Sequence, residues 1–239
     1  MLKTIVRRAA RSAGLEVNRY DPTHSQDARF QAMLEAHKIN LIFDVGANEG
    51  QFAGHLREAG YRGRIVSFEP TAGAWNKLKR ASESNPLWEV APRGAIGAED
   101  GEIEFHISAN SVSSSALKIL DTTVVAAPGA AFVGTERLPL RRLDTVGADY
   151  LEPNSVLFMK IDTQGFELQV LQGATELLKK ATGVQLEVSL VPIYEGQTLY
   201  REIIDSIIGL GFEMWAFSPV FFNGISGRLL QADATFFRN

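Results

Sequence analysis

Short apolar runs alternate with helical patterns from residue 41 onward, and this alternation restricts the fold more than any other feature of the sequence. A chain that alternates strands and helices in this way forms a parallel sheet covered by crossover helices. The predicted strands of the sheet are 41–45, 64–68, 88–96, 156–161, 184–190, 212–217 and 234–238. The last two should form an antiparallel pair. We therefore predict an α/β, Rossmann-like fold with a mostly parallel, open sheet of about seven strands.

The segments around this sheet divide the chain into two parts. Residues 1–39 are predicted to form an N-terminal helical segment, which could act as a lid, and residues 40–239 to form the main domain. Inside the domain, residues 102–107 alternate in polarity, which is typical of an antiparallel or edge strand. Residues 109–136 contain a serine cluster and an Ala/Pro/Gly stretch, so we predict an inserted functional loop there. Helices are predicted at about 51–59, 72–81, 166–180 and 199–208.

Composition excludes several classes of function. The chain has 239 residues, a net charge of −4 and no cysteine. A protein that binds nucleic acid usually carries a surplus of Lys and Arg, so we do not expect such a partner. Without cysteine there are no disulfides or thiolate metal sites, which suits the cytoplasm, where we expect the chain. No apolar run is long enough for a transmembrane helix.

The first fifteen residues combine basic side chains with apolar residues at helical spacing. The basic residues are Lys3, Arg7, Arg8 and Arg11. A basic amphipathic helix could make weak peripheral contact with anionic lipid. Because the apolar residues are few and small, we favour a simpler interpretation, in which this helix packs on the domain.

The loop after the first predicted strand has the features of a cofactor site. Gly46 and Gly50 allow a tight turn and a close approach of the backbone to a ligand. The helix that follows offers free N–H groups and a partial positive charge at its start. A dinucleotide fingerprint would need a glycine where Asn48 stands, so the loop disfavours a nicotinamide cofactor. Asp44, on the strand itself, suits a cationic or amino-bearing ligand.

The second predicted strand ends in Glu69, about twenty residues beyond the loop. A carboxylate at this point can accept hydrogen bonds from the ribose hydroxyls of an adenosine. Together with the loop, it favours S-adenosylmethionine as the cofactor. Gly94 and Ala95 lie at the end of the third strand, where a backbone amide could meet the adenine.

The sequence resembles the FkbM-type methyltransferases over roughly residues 40–190. The motifs that carry the resemblance are Phe43-Asp44-Val45-Gly46-Ala47-Asn48-Glu49-Gly50, Phe68-Glu69-Pro70, the segment 97–105, Leu143-Asp144, and the segment 159–167 leading to Val170-Leu171-Gln172-Gly173-Ala174. The resemblance implies a class I methyltransferase fold, S-adenosylmethionine as donor, and O-methylation of a sugar, glycolipid or polyketide-like natural product. It includes a serine pair near Ser114. Gln164 departs from the family, since many members carry Glu there.

The residues expected to bind the cofactor are Asp44, Gly46, Asn48, Glu49, Gly50, Phe52, Glu69, Pro70, Gly94, Ala95, Ser114 and Asp162. For catalysis we select Asp162 first, at the end of the fourth parallel strand, because an alcohol that accepts a methyl group must lose its proton to a base. Glu187 is the second choice, and Lys160 could pair with Asp162 or steer an anionic group. Helix capping remains an alternative role for Asp162. A divalent cation held by the two carboxylates is possible but is not predicted.

Three functions remain open at this stage. The first is O-methyl transfer to a small molecule or glycan, which is the function that we favour. The second is a nicotinamide-dependent oxidoreductase on the same fold, which the loop disfavours. The third is an adenosyl-binding domain without catalytic activity. The sequence does not determine the acceptor or the oligomeric state.

Overall fold

The computed structural model describes residues 2–238, and the chain divides into two compact units, residues 1–38 and residues 39–239. The described part of the first unit contains two helices, α1 (Leu2–Ser12) and α2 (Gln26–Ala36). Ser25 caps α2, because its side chain accepts a hydrogen bond from the backbone N–H of Ala28. The helical content of this segment agrees with the sequence pattern, whereas its role as a lid stays a prediction.

The second unit contains ten strands and seven helices among its described residues. The strands are β1 (Leu41–Val45), β2 (Arg64–Phe68), β3 (Trp88–Val90), β4 (Ala95–Ile96), β5 (Gly101–Ser108), β6 (Phe132–Arg141), β7 (Leu157–Ile161), β8 (Gly183–Ser189), β9 (Glu213–Phe222) and β10 (Leu229–Phe237). The helices are α3 (Gln51–Glu58), α4 (Ala72–Ser82), α5 (Asp121–Ala126), α6 (Leu143–Gly147), α7 (Glu167–Gln172), α8 (Thr175–Lys180) and α9 (Tyr200–Gly209).

Seven strands form the main sheet in the order β3-β2-β1-β7-β8-β10-β9. The first five strands in this order, β3, β2, β1, β7 and β8, run parallel, and β10 and β9 complete the sheet as an antiparallel pair. This arrangement confirms the predicted mostly parallel sheet with its C-terminal strand pair. Because the chain order reverses between β1 and β7, the carboxyl ends of these two strands lie side by side, which is where open α/β sheets bind ligands.

The centre of the main sheet is buried on both faces. Every residue of β1, β7 and β8 is buried, and the core includes Phe43, Met159 and Leu186. Helices cover both faces of such parallel strands, which is why these strands are rich in apolar residues. The strand ends are therefore held rigidly, and so are the side chains that follow them.

The predicted third strand, 88–96, is wrong as a single element. Residues 88–90 form β3 in the main sheet, whereas residues 95–96 form β4 in a separate three-stranded sheet of order β4-β6-β5. Pro92 stands between them, and proline has no N–H to continue a ladder. In this second sheet β5 pairs antiparallel with β6, which confirms the antiparallel character predicted for residues 102–107.

Two other predicted segments are more divided than expected. The helix predicted over 166–180 is two helices, α7 and α8, separated at Gly173. A Cβ atom on Gly173 would lie 1.9 Å from the carbonyl oxygen of Gly97, so the backbone approaches too closely for any side chain. The loop predicted over 109–136 contains α5 and a short 3₁₀ turn, and it ends earlier than expected because β6 begins at Phe132.

Candidate active site

A cavity of about 630 Å³ opens at the carboxyl ends of the central strands. This volume lies within the usual range for sites that bind small molecules and cofactors. We call one side of it the glycine-loop wall, formed by Gly46, Asn48 and Glu69, and the other side the acidic wall, formed by Asp162, Glu187 and Asp233. The loop between β5 and β6 supplies further lining residues, including Ser113 and Ser114.

The glycine-loop wall depends on a backbone that only certain residues allow. Gly46 has a φ of +82°, and a Cβ there would lie 1.8 Å from the carbonyl oxygen of Asp162, so only glycine fits. Asn48 also has a positive φ, +47°, and its N–H donates to a carboxylate oxygen of Glu69 at 2.9 Å. Both side-chain amide atoms of Asn48 are buried and have no hydrogen-bond partner among the described residues. Such an amide indicates a position where a polar ligand group belongs.

Glu69 is buried at the end of β2, and its carboxylate organises the loop. One oxygen accepts from the N–H and hydroxyl of Thr71, and the other accepts from the N–H of Asn48. Burial raises the pKa of Glu69, and the hydrogen bonds from Thr71 and Asn48 oppose this effect. A carboxylate has about four acceptor positions. Glu69 therefore retains room for one hydroxyl of a ligand.

The structure places nine of the twelve residues expected to bind a cofactor on the cavity wall: Gly46, Asn48, Phe52, Glu69, Pro70, Gly94, Ala95, Ser114 and Asp162. The other three do not line it. Glu49 turns outward and pairs with Lys77 at 2.7 Å. Gly50 packs on the ring of Trp88, which a Cβ would approach to 2.8 Å. Asp44 is fully buried below the cavity.

Asp44 faces a cation of the protein itself, which corrects the expectation that it meets an amino-bearing ligand. The Lys160 ammonium lies 3.7 Å from an oxygen of Asp44 and 3.0 Å from an oxygen of Asp162. Burial raises the pKa of Asp44, and Lys160 opposes this rise. Burial alone would lower the pKa of Lys160, but the two carboxylates outweigh it and raise that pKa. Lys160 therefore stays charged and holds Asp162 in place.

Gln164 connects the side chains of the acidic wall. Its amide nitrogen donates to Asp162 and to Glu187, at 2.8 Å in both cases. Its amide oxygen accepts from the hydroxyl of Tyr194 at 2.8 Å, and its backbone oxygen accepts from Ser115 at 2.7 Å. Gln164 adopts a φ of +55°, which places the side chain between the two strand ends. An amide thus occupies the position between two carboxyl groups that a cation would otherwise favour.

Glu187 lies on β8 and is buried. Burial raises its pKa well above the ordinary range, and the nearby charges of Asp162 and Glu167 add to the rise. Gln231 donates a second amide hydrogen bond to it, at 2.6 Å. Glu187 is thus a buried carboxyl group that accepts two amide hydrogen bonds, and burial disfavours its charged form.

Asp233 is a cavity residue that we did not expect from the sequence. It lies on β10 directly opposite Glu187, and its side chain has no hydrogen bond or ion pair among the described residues. Burial raises its pKa to about 7, with the charge of Asp162 adding and that of Lys160 opposing. A group that titrates near neutral pH is suited to accept a proton. An acidic residue flanked by Ala232 and Ala234 in a buried strand was the available signal.

Two further candidates have structural contacts. Asp144 accepts from the N–H groups of Glu176 and Leu177 and so caps the start of α8. Ser114 lines the cavity, but its hydroxyl already accepts from the N–H of Ser108 at 3.0 Å. Both residues therefore hold the framework together.

The capping alternative for Asp162 is wrong. Helix α7 begins after Phe166, and Glu167 accepts from the N–H groups of Thr163 and Gly165, so Glu167 closes this turn. Burial raises the pKa of Glu167 to about 7.

Within residues 2–238, no three His, Asp or Glu side chains stand together as a metal site would require.

Comparison with known proteins places this site in a family. The model of the methyltransferase FkbM domain matches residues 44–214, which include the glycine-loop wall and most of the acidic wall. A hexuronic acid methyltransferase, AglP of Haloferax volcanii, is 26% identical over 170 residues, which are 68% of this chain and 62% of AglP. The 2-O-methyltransferase NoeI of Sinorhizobium fredii is 28% identical over 220 residues, which are 87% of this chain and 86% of NoeI.

A solved structure agrees on the fold. The crystal structure of the methyltransferase FkbM from Methylobacillus flagellatus superimposes with a TM-score of 0.52 at 14% identity, over 83% of this chain and 44% of that chain. The chain thus spans under two thirds of both the Haloferax relative and this structure. The family match covers well over half of the present sequence. The chain therefore belongs to the FkbM family of methyltransferases.

Proposed function

We propose that the protein transfers the methyl group of S-adenosylmethionine to a hydroxyl oxygen of a sugar or glycan. The observation that carries the proposal is the pairing of two walls in one cavity. The glycine-loop wall offers the unpartnered amide of Asn48 and the carboxylate of Glu69, whereas the acidic wall offers Asp233 with a pKa of about 7. The glycine-loop wall suits an adenosyl ligand, and the acidic wall suits an alcohol that must lose a proton.

The donor would be held by the glycine-loop wall. Gly46 lets the backbone come close, Asn48 supplies a donor and an acceptor, and Glu69 accepts from a ribose hydroxyl. Bound S-adenosylmethionine would supply a methyl group that is already activated on a sulfonium. Lys160 and Gln164 fix Asp162 at the boundary between the two walls. Such fixed positioning can contribute up to roughly 7–11 kcal/mol to catalysis in favourable cases.

The acceptor would be bound by the acidic wall. Asp162 keeps about a quarter of its side chain exposed, 27%, and orients the acceptor hydroxyl as a hydrogen-bond acceptor. The carboxylate of Asp233 would take the hydroxyl proton as the oxygen bonds to the methyl carbon and the carbon–sulfur bond of the donor breaks, which leaves S-adenosylhomocysteine. Glu187 forms a hydrogen bond with a neighbouring hydroxyl of the same sugar. A wall of hydrogen-bonding groups suits a polyhydroxylated acceptor better than an apolar one.

The relatives support this choice of chemistry. The name of AglP gives a hexuronic acid, a sugar derivative, as its acceptor, and the name of NoeI gives an oxygen atom as its site of methylation. The family match favours methyl transfer over hydride transfer.

A cytoplasmic location belongs to the same proposal. The structure contains no described helix with the length and apolar character needed to cross a bilayer.

The test is a transfer assay with S-adenosylmethionine labelled in its methyl group. The purified chain is offered oligosaccharides with and without hexuronic acid, and the products are analysed by mass spectrometry and NMR. We expect a labelled methyl ether on a ring hydroxyl. Binding of S-adenosylhomocysteine with no transfer to any acceptor would instead support an adenosyl-binding domain without activity. Label on nitrogen or carbon would contradict the proposed acceptor.

A further inference from the structure

Helix α1 separates its charged and apolar residues onto opposite sides. Successive residues of a helix are about 100° apart, which places Ile5, Val6 and Ala9 on one side. Arg7, Arg8 and Arg11 fall on the opposite side of the helix, because steps of one and three residues keep them within about 100° of one another. The helix contains no acidic residue.

The apolar side of α1 carries exposed side chains. Ile5 is 59% exposed and Val6 is 46% exposed, and Leu15 and Tyr20 beyond the helix are each 64% exposed. Adjacent exposed apolar side chains such as Ile5 and Val6 are typical of a surface that meets a partner.

Charge indicates which partner this surface fits. Residues 1–20 carry five basic residues and one acidic residue, although the whole chain has a net charge of −4. The basic charge is thus concentrated in one short segment, and the rest of the chain is acidic. A nucleic acid would be bound by the arginines alone and would leave Ile5 and Val6 in water. An anionic bilayer uses both sides of the helix, because arginines contact lipid phosphates while the apolar side enters the acyl boundary.

We propose that α1 docks in the plane of an anionic membrane surface. Ile5 and Val6 insert below the headgroups, and Arg7, Arg8 and Arg11 bind the phosphates around them. The helix has eleven residues, so it lies on the surface and does not span the bilayer.

Vesicle flotation with the full chain tests this docking. The probes are vesicles of phosphatidylcholine alone and vesicles that also contain phosphatidylglycerol. We expect binding to the second kind only, weakened by added salt. Arg7→Gln combined with Arg8→Gln should lower the partition coefficient roughly thirty-fold, from the usual contribution of each basic residue near an anionic leaflet. The matched control is Arg80→Gln with Lys180→Gln, which removes the same charge from exposed positions on α4 and α8 and should bind normally.

A second variant tests the apolar side. Ile5→Ser combined with Val6→Ser keeps every charge and should lower the partition coefficient at least about tenfold. Transfer to a water-soluble acceptor should be unchanged in both α1 variants, because neither changes a residue that lines the cavity. Equal binding of the Arg7/Arg8 pair and the control pair would overturn the proposal, and so would binding that persists in the Ile5/Val6 pair. Vesicle binding needs no methyl transfer, so failure of the docking and failure of the proposed function are distinguishable.

Discussion

Replacing Asp233 with asparagine should remove most of the activity while making the fold more stable. The variant keeps the size and shape of the side chain but cannot accept a proton. Loss of a positioned general base lowers the rate by roughly 10²–10⁴. We expect kcat/KM to fall within this range at pH 8, where a carboxyl group with a pKa of about 7 is mostly ionised in the wild type.

The activity should depend on pH through the ionisation of Asp233. Since the pKa of Asp233 is about 7, the wild-type kcat/KM should rise through pH 6 to 8 and then level off, with about half of the plateau value at pH 7. Asp233→Asn should lose this rise. Glu167 also has a pKa of about 7, but its carboxylate accepts from backbone N–H groups and does not line the cavity, so its titration does not replace that of Asp233.

Stability should change in the opposite direction. The pKa of Asp233 rises from an ordinary 3.8 to about 7, so its ionised form opposes folding. This opposition is absent below about pH 4, grows up to about pH 7 and is constant above it. The difference corresponds to at most about 4 kcal/mol, since each pKa step is worth ~1.4 kcal/mol. Asp233→Asn should therefore raise the melting temperature more at pH 8 than at pH 5.

The assay is a pH series of kcat/KM together with thermal unfolding at both pH values. The control is Asp205→Asn, which changes an exposed aspartate on α9 and should leave the pH series and the melting temperature unchanged. A variant that keeps the wild-type pH profile, or loses activity only because it unfolds, would refute the role given to Asp233.

Three other substitutions probe the framework of the site. Gly46→Ala should destabilise the fold by at least ~2 kcal/mol in thermal unfolding, because its Cβ would meet the carbonyl oxygen of Asp162 at 1.8 Å. Lys160→Met should cost about 3–5 kcal/mol by leaving Asp44 buried without its cation, and adding Asp44→Asn should restore most of that loss in a double-mutant cycle. Gln164→Glu should make stability fall as pH rises, since a third carboxylate then faces Asp162 and Glu187, and added Mg²⁺ should raise its melting temperature but not that of the wild type.

Much of the fold can be predicted from local patterns. The strands β1 and β2 are rich in apolar residues because both faces of a central parallel strand are buried. The positions of Gly46 and Glu69 follow from the same logic, since a strand end in a parallel sheet leads to a turn beside the ligand. The residues next to these strand ends therefore fall on the cavity wall.

The features that escaped the sequence depend on distant pairing. Asp233 faces the cavity because β10 aligns it with Glu187 in the antiparallel register, and no local pattern fixes that register. Asp44 is occupied by Lys160, which the sequence places over a hundred residues away. Gln164 reaches both carboxyl groups because its backbone is left-handed. A glycine usually marks such a conformation in a sequence, and position 164 has none.

The central claim is that the glycine-loop wall binds an adenosyl ligand through Glu69 and Asn48. Calorimetric titration of S-adenosylhomocysteine into the wild type, Glu69→Ala and the control Lys77→Ala tests it most directly. Lys77 pairs with Glu49 outside the cavity, so its loss should leave the affinity unchanged. We expect micromolar binding by the wild type and a loss of at least about tenfold in Glu69→Ala, since a lost hydrogen bond to a charged group costs ~1.5–3 kcal/mol. Equal affinity in Glu69→Ala and the wild type would contradict the account.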